Sequence, residues 1–220
     1  MGQMSIITPE QKLILDQIRQ TEFIKNQFYF TGGTALSEFY LQHRYSEDLD
    51  FFSENDFDYK EILSLLKEWA EKFHFVFRSD PKKVVKMFYL KFENGNGFKI
   101  DFGYYPYKRV EKGLGKDGLT IDSLLDIAIN KLSTVNQRSS VKDFVDLYYL
   151  FNEFTIWDLI EGVKIKFRQE LDPWLLSSDL AYVVEEFEEM PRMIKPLTLD
   201  ELKNFFREKA KELGRLAVEP

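Results

Sequence analysis

Asp48-Leu49-Asp50 places two carboxylates two residues apart inside an apolar run with Phe51 and Phe52. On a strand the side-chain period of two puts both acids on one face and turns Leu49 to the core. Carboxylates on a buried strand need partners, and hard oxygen donors suit Mg²⁺ or Mn²⁺. Just upstream, Phe28-Tyr29-Phe30-Thr31-Gly32-Gly33-Thr34-Ala35-Leu36 reads as a strand, a glycine pair and a helix start. Glycine lets the chain turn sharply and approach a ligand closely. A helix N-terminus aims unpaired N–H groups at an anion. Gly32, Gly33 and Thr34 are therefore a candidate phosphate cradle, and Asp48 and Asp50 a candidate metal site beside it. Each half of this pattern is common alone; the order strand, Gly-Gly-Thr, helix, Asp-x-Asp is far more specific.

A third acid lies in Lys99-Ile100-Asp101-Phe102-Gly103, another strand-like run. If that strand lies beside the Asp48/Asp50 strand, three acids converge, enough to hold one or two ions and activate a hydroxyl. The alternative is a strand-end Asp101 paired with Lys99 or Lys91. Arg44 and Ser46 offer a fork and a hydroxyl for a triphosphate, unless Arg44 simply pairs with Glu47. Lys131 and Asp143 read by spacing alone as a solvated helix lysine and a helix N-terminal acid behind Ser140. Lys82, Lys83, Lys86, Lys108, Arg109, Lys112 and Lys116 are either the lining of an RNA groove or a charged surface.

The elements that must position these groups follow from periodicity. Thr8-Pro9-Glu10-Gln11 predicts a capped helix to about Lys25. Strands are expected at 28–31 and 49–52, with a helix over 34–42 between them. Asp58 caps a helix to about Lys72. Runs at 73–78, 84–92 and 98–105 read as strands, the last two joined by the hairpin signal Asn94-Gly95-Asn96-Gly97. Beyond Thr120 the pattern is helical, over 122–135, 141–151, 155–167, 178–188 and 199–213. The glycine- and charge-rich 112–118 reads as a hinge. The expected architecture is α+β: an α/β domain at 1–118 and a helical domain at 119–220 that completes a cleft.

Composition narrows the chemistry. With 44% hydrophobic residues, 21 Phe and 11 Tyr, the 220-residue chain can build a sizeable core. It has no cysteine and only two histidines, which excludes disulfides, thiolate zinc sites, a cysteine nucleophile and a histidine-rich metal site. Any metal must sit on carboxylates. A net charge of −7 argues against a general nucleic-acid coat protein while allowing a local basic patch. No apolar run approaches the roughly 20 residues of a membrane span. The opening residues lack the charged and apolar regions of a leader, so a cytoplasmic location is expected.

Gly32-Gly33-Thr34-Ala35-Leu36, followed by His43-Arg44-x-Ser46-x-Asp48-Leu49-Asp50-Phe51, resembles the AbiEii/AbiGii-type toxin nucleotidyltransferases of the DNA polymerase β-like superfamily. Lys131, the pattern Arg138…Lys142-Asp143-Phe144-x-Asp146-Leu147, and Met190–Leu197 resemble later parts of the same family, so the likeness spans roughly residues 25–200. Gly-Gly-Thr departs from the Gly-Ser of many polymerase β-like enzymes, which leaves phosphate contact to backbone or Thr34.

The resemblance implies a polymerase β-like fold in which Asp48 and Asp50 bind metal, Lys131 contacts nucleotide phosphates and Asp143 completes the site. It also implies transfer of NMP from an NTP to an acceptor such as tRNA, within a bacterial toxin–antitoxin or abortive-infection system, with a cognate antitoxin as partner. Two other functions share the metal site: a non-catalytic NTP-binding module, and a phosphotransferase that passes the γ-phosphoryl group.

Overall fold

Thr8 and Gln11 form the expected reciprocal cap, each side chain meeting the other's backbone N–H, and start helix α1 (Pro9–Gln20). A computed structural model describes residues 5–135 and 140–216. The chain forms two compact units. The first comprises Met1–Tyr40, Ser46–Lys108 and Lys112–Ser123; the second comprises Leu41–Tyr45, Arg109–Glu111 and Leu124–Pro220.

In the first unit, α1 stops at Thr21, whose N–H and hydroxyl close back onto Ile18 and Gln17 carbonyls. The long helix expected to Lys25 is thus broken. A short α2 (Glu22–Gln27) restarts with a new phase, burying Ile24 rather than Phe23. Strand β1 (Tyr29–Thr31) leads into α3 (Gly32–Leu36), which widens into a π-helical turn over Ser37–Leu41. There follow β2 (Leu49–Ser53), α4 (Tyr59–Phe73), β3 (Phe75–Pro81), β4 (Val85–Phe92) and β5 (Gly97–Tyr104).

The segment expected as a hinge contains β6 (Leu114–Lys116), and β7 (Leu119–Ile121) follows directly. Asp117 and Gly118, both at positive φ, make the two-residue turn between them. Among the described residues the sheet has seven strands in the order β3-β4-β5-β2-β1-β7-β6. β2 pairs parallel with β5 and antiparallel with β1. One face is apolar: Phe30 stacks on Phe51, Phe51 on Phe102, and Phe88 meets Phe102 edge to face. Helix α4 joins it, with Tyr59 stacked on Phe88 and Ile62, Leu66 and Trp69 buried.

The second unit is helical, with α5 (Leu124–Val135), α6 (Val141–Leu150), α7 (Ile156–Phe167), α8 (Pro173–Val183) and α9 (Leu199–Leu216). α8 starts five residues before the predicted 178, because Asp172 accepts from the Trp174 and Leu175 N–H groups and Pro173 sits at the first turn. Phe144 of α6 meets Phe187 and Phe206 at 4.9 and 4.8 Å between ring centres, which anchors α9. No helix of the described residues is long and apolar enough to cross a membrane.

Candidate active site

The glycine turn and the aspartate strand are built against each other in the first unit. Thr31 faces Asp50 in the β1–β2 register, so the turn after Thr31 lies at the Asp50 end of β2. Gly32 has φ +75°, and a β-carbon there would stand 2.2 Å from Asp50 Oδ2. Two independent requirements, a left-handed backbone and a missing side chain, thus select glycine at this position. Thr34 is fully buried and its hydroxyl donates to the Asp48 carbonyl. Gln11 of α1 donates to the preceding Glu47 carbonyl at 2.7 Å. The backbone entering β2 is thereby tied to both helices, and Thr34 spends its side chain on this tie.

Asp101 comes to the same place, directly beside Asp50 in the parallel β2–β5 register. Lys99 bridges the acids, with Nζ 2.5 Å from Asp101 Oδ2 and 3.4 Å from Asp48 Oδ2. The Lys99 pairing weighed in the sequence is therefore present, and Lys91 is not the partner. Burial pushes the Asp101 carboxyl up, and nearby Asp48 adds to the shift, against the pull of Lys99. Asp101 Oδ1 is buried without a hydrogen-bond partner. As the side chains stand, no three acids or histidines among the described residues are grouped closely enough to enclose an ion. A hard-oxygen donor set, an orphaned carboxylate oxygen and an ammonium held between two acids nonetheless fit a divalent cation, which would take the place of the Lys99 charge.

In the second unit, α6 is buried almost all round, including Asp143 and Asp146. Arg44 grips Asp146 with both arms of its fork, Nε at 2.6 Å and Nη2 at 2.8 Å. His43 Nε2 lies 2.7 Å from the same carboxylate. Lys131 Nζ stands 2.6 Å from both Asp143 Oδ1 and Asp146 Oδ2. Burial, Lys131 and Arg44 compete over Asp146, and the cations win, holding it well below the usual carboxylate range. Burial holds His43 below its ordinary value, though Asp146 pulls the other way. Lys131 is driven up by the two acids despite its burial. Residues 43–45 are strapped by 192–195: Tyr45 N–H donates to Arg192 O, and the Ile194 and Lys195 N–H groups to His43 O.

Lys131 is therefore no solvated surface lysine, and Asp143 is more than an end-of-helix acid. Ser140 makes no side-chain cap. Ser46 is half-buried in the first unit, and Arg138 lies outside the described residues. Asp146 and His43 stand in the sequence only as letters of the motif, although two acids three residues apart on a helix that is apolar apart from Lys142 and its tyrosine hydroxyls already call for internal partners. A second buried pair had no such signal: Lys166 Nζ lies 2.6 Å from Asp126, which also accepts from the Val110 and Glu111 N–H groups.

The mixed seven-stranded sheet thus sets a glycine turn against paired aspartates. The chain belongs to the family described as nucleotidyl transferase AbiEii toxin, type IV TA system, which matches residues 13–218. An uncharacterised protein of Aquifex aeolicus (strain VF5) is 33% identical over 216 residues, covering 95% of this chain and 98% of that one. The fold is similar to that of JHP933 from Helicobacter pylori, with TM-score 0.59, 19% identity and coverage of 96% and 94% of the two chains. It is also similar to MenT4, a nucleotidyltransferase toxin of Mycobacterium tuberculosis H37Rv, with TM-score 0.52, 14% identity and coverage of 95% and 93%.

Proposed function

We propose that the chain transfers NMP from an NTP to the hydroxyl of an RNA acceptor, with tRNA as the first candidate, and releases pyrophosphate. The observation that carries this reading is the Gly32–Asp50–Asp101 arrangement: a glycine turn pressed against one of two register-paired acids. Asp48, Asp50 and Asp101 would hold Mg²⁺ or Mn²⁺, which when bound offsets triphosphate charge and favours hydroxyl attack at the α-phosphorus. Gly32 and Gly33 let backbone N–H groups reach the phosphates, and Thr34 fixes that turn to Asp48. Lys99, freed by the metal, is a cation for the phosphates or the acceptor. The family resemblance adds Lys131 and Asp143 to the residues the reaction needs. Within that family the protein is the toxin half of a toxin–antitoxin pair, restrained by a cognate antitoxin.

Incubating the protein with each α-labelled and γ-labelled NTP, total RNA and Mg²⁺ tests this. Label from the α position only, appearing in RNA, is the expected outcome. Label from the γ position would make the protein a phosphotransferase, and no incorporation would leave an NTP-binding module.

A further inference from the structure

The sheet face that carries Asp101 continues to the edge strand β3. Lys99, Asp101 and Gly103 share this face of β5, and the antiparallel registers set Tyr89 beside Lys99 and Arg78 beside Tyr89. One row therefore runs outward from the Asp48 carboxylate: Lys99, then Tyr89, then Arg78. The Arg78 guanidinium sits over the Tyr89 ring, 4.4 Å from its centre. In the next row Lys91 faces Val76, which is 70% exposed. Val76, Arg78, Tyr89 and Lys91 border a shallow concavity of about 490 Å³. The reverse face of the same strands holds the Phe88, Ile100 and Phe102 core, so this side of β3 and β4 adds nothing to packing there.

The row's chemistry selects its occupant. A half-buried tyrosine ring beneath an exposed guanidinium offers flat surfaces to a base, and Lys91 and Lys99 offer cations to phosphates. Asp80, which lies on this face of β3, is already paired with Lys82 at 3.0 Å. In a chain of net charge −7 such a stretch is complementary to a polyanion with planar groups. Stacking requires unpaired bases, which a duplex does not present. Strand geometry puts Tyr89 one strand over and two residues along from Asp101, about 8 Å away, so a base stacked there leaves its own or the next nucleotide at the carboxylates. Building on the nucleotidyl-transfer reading, we propose that this row seats the single-stranded 3′ end of the RNA acceptor, with one base on Tyr89 and Arg78.

Binding of a 5′-fluorescein-labelled single-stranded RNA of about ten nucleotides tests the seat by anisotropy, with the full chain in the Asp48→Asn background so that turnover plays no part. Tyr89→Ala and Arg78→Ala should each weaken binding about tenfold with an unchanged melting curve, Tyr89→Phe should bind as the parent does, and a duplex of the same sequence should not compete. In the otherwise wild-type enzyme, Tyr89→Ala should raise KM for the RNA acceptor and leave KM for NTP alone. Parent-like RNA binding by both alanine variants, or equal competition by the duplex, overturns the proposal. So does loss of a captured partner protein by Tyr89→Ala with RNA affinity intact. Tyrosine-dependent RNA binding in a wild-type protein that transfers no label supports the seat and sinks the transfer reading, so the two fail separately.

Discussion

Gly32 and Asp50 occupy the same space: the β-carbon that any other residue would bring to position 32 lies 2.2 Å from an Asp50 carboxylate oxygen. The glycine turn and the aspartate strand are thus one steric unit, so the turn cannot change without moving the acid. Gly32→Ala should lower kcat/KM about 100-fold, the scale of a 1 Å misplacement, beyond the modest strain of alanine at positive φ. Gly95, at φ +86° with open space around it, isolates that strain, and Gly115, with nothing near, is a neutral control. Kinetics for the three alanine variants decide the matter; Gly32→Ala behaving as Gly95→Ala would remove the steric coupling.

Asp48→Asn, Asp50→Asn and Asp101→Asn should each abolish transfer while the protein stays folded. Removing one of several facing carboxylates also relieves their mutual repulsion. NTP with Mg²⁺ should raise Tm more than NTP with EDTA, because the ion links phosphate to carboxylates. Equal shifts in the two mixtures, or an active asparagine variant at Asp48 or Asp50, would refute the metal site.

Much of this site was legible because its residues are local in sequence. The glycine pair and Asp-x-Asp lie within twenty residues, and the strand period alone puts Asp48 and Asp50 together. Asp101 required a guess about strand adjacency, which the β2–β5 register fulfils. The hairpin at Asp117-Gly118 was also written in the sequence, since that dipeptide is a strong signal for a two-residue turn; the surrounding charge and glycine masked it as a hinge. Arg44 and Asp146 were not legible as partners. They are 102 residues apart, and only the folded second unit reveals that the Arg44 fork is filled by a carboxylate. Lys99 looked like a possible partner for one acid, and only the register shows it reaching two.

The Asp146 cluster makes stability depend on pH with a defined sign. His43 titrates below its ordinary 6.5 in the folded chain, so on acidification the unfolded chain takes up that proton first. Stability therefore falls as pH drops below about 6.5. Asp146 is held well below 3.8, so its contribution is intact above that value and is lost as pH falls further. Urea unfolding between pH 8 and 3 should show both stages. His43→Gln should flatten the upper stage, and Asp146→Asn should shrink the lower one, to which Asp126 and Glu10 also contribute. Arg44→Ala leaves Asp146 buried without its fork and should cost about 3–5 kcal/mol, a Tm loss on the order of 10 °C. A pH-independent wild-type profile would contradict the buried pairing.

Lys131 and Asp143 call for a test that separates chemistry from architecture, because both are buried in one charged cluster. Among the described residues, Arg44 and Lys131 supply two positive charges to it, Asp143 and Asp146 two negative, and Lys131 touches both acids. Lys131→Met alone leaves Asp143 and Asp146 as close like charges, and Asp143→Asn alone removes half of the lysine's compensation. Both single variants should lose stability whatever their role in the reaction. Lys131→Met with Asp143→Asn removes one charge of each sign and should recover much of that stability, a coupling that a double-mutant cycle measures. If the ammonium itself offsets charge building on pyrophosphate, the double variant should melt near the wild type yet remain at least tenfold slow in kcat/KM, about 1.4 kcal/mol of lost transition-state stabilisation. Rate returning together with stability would reduce Lys131 to a structural counterion and remove it from the reaction.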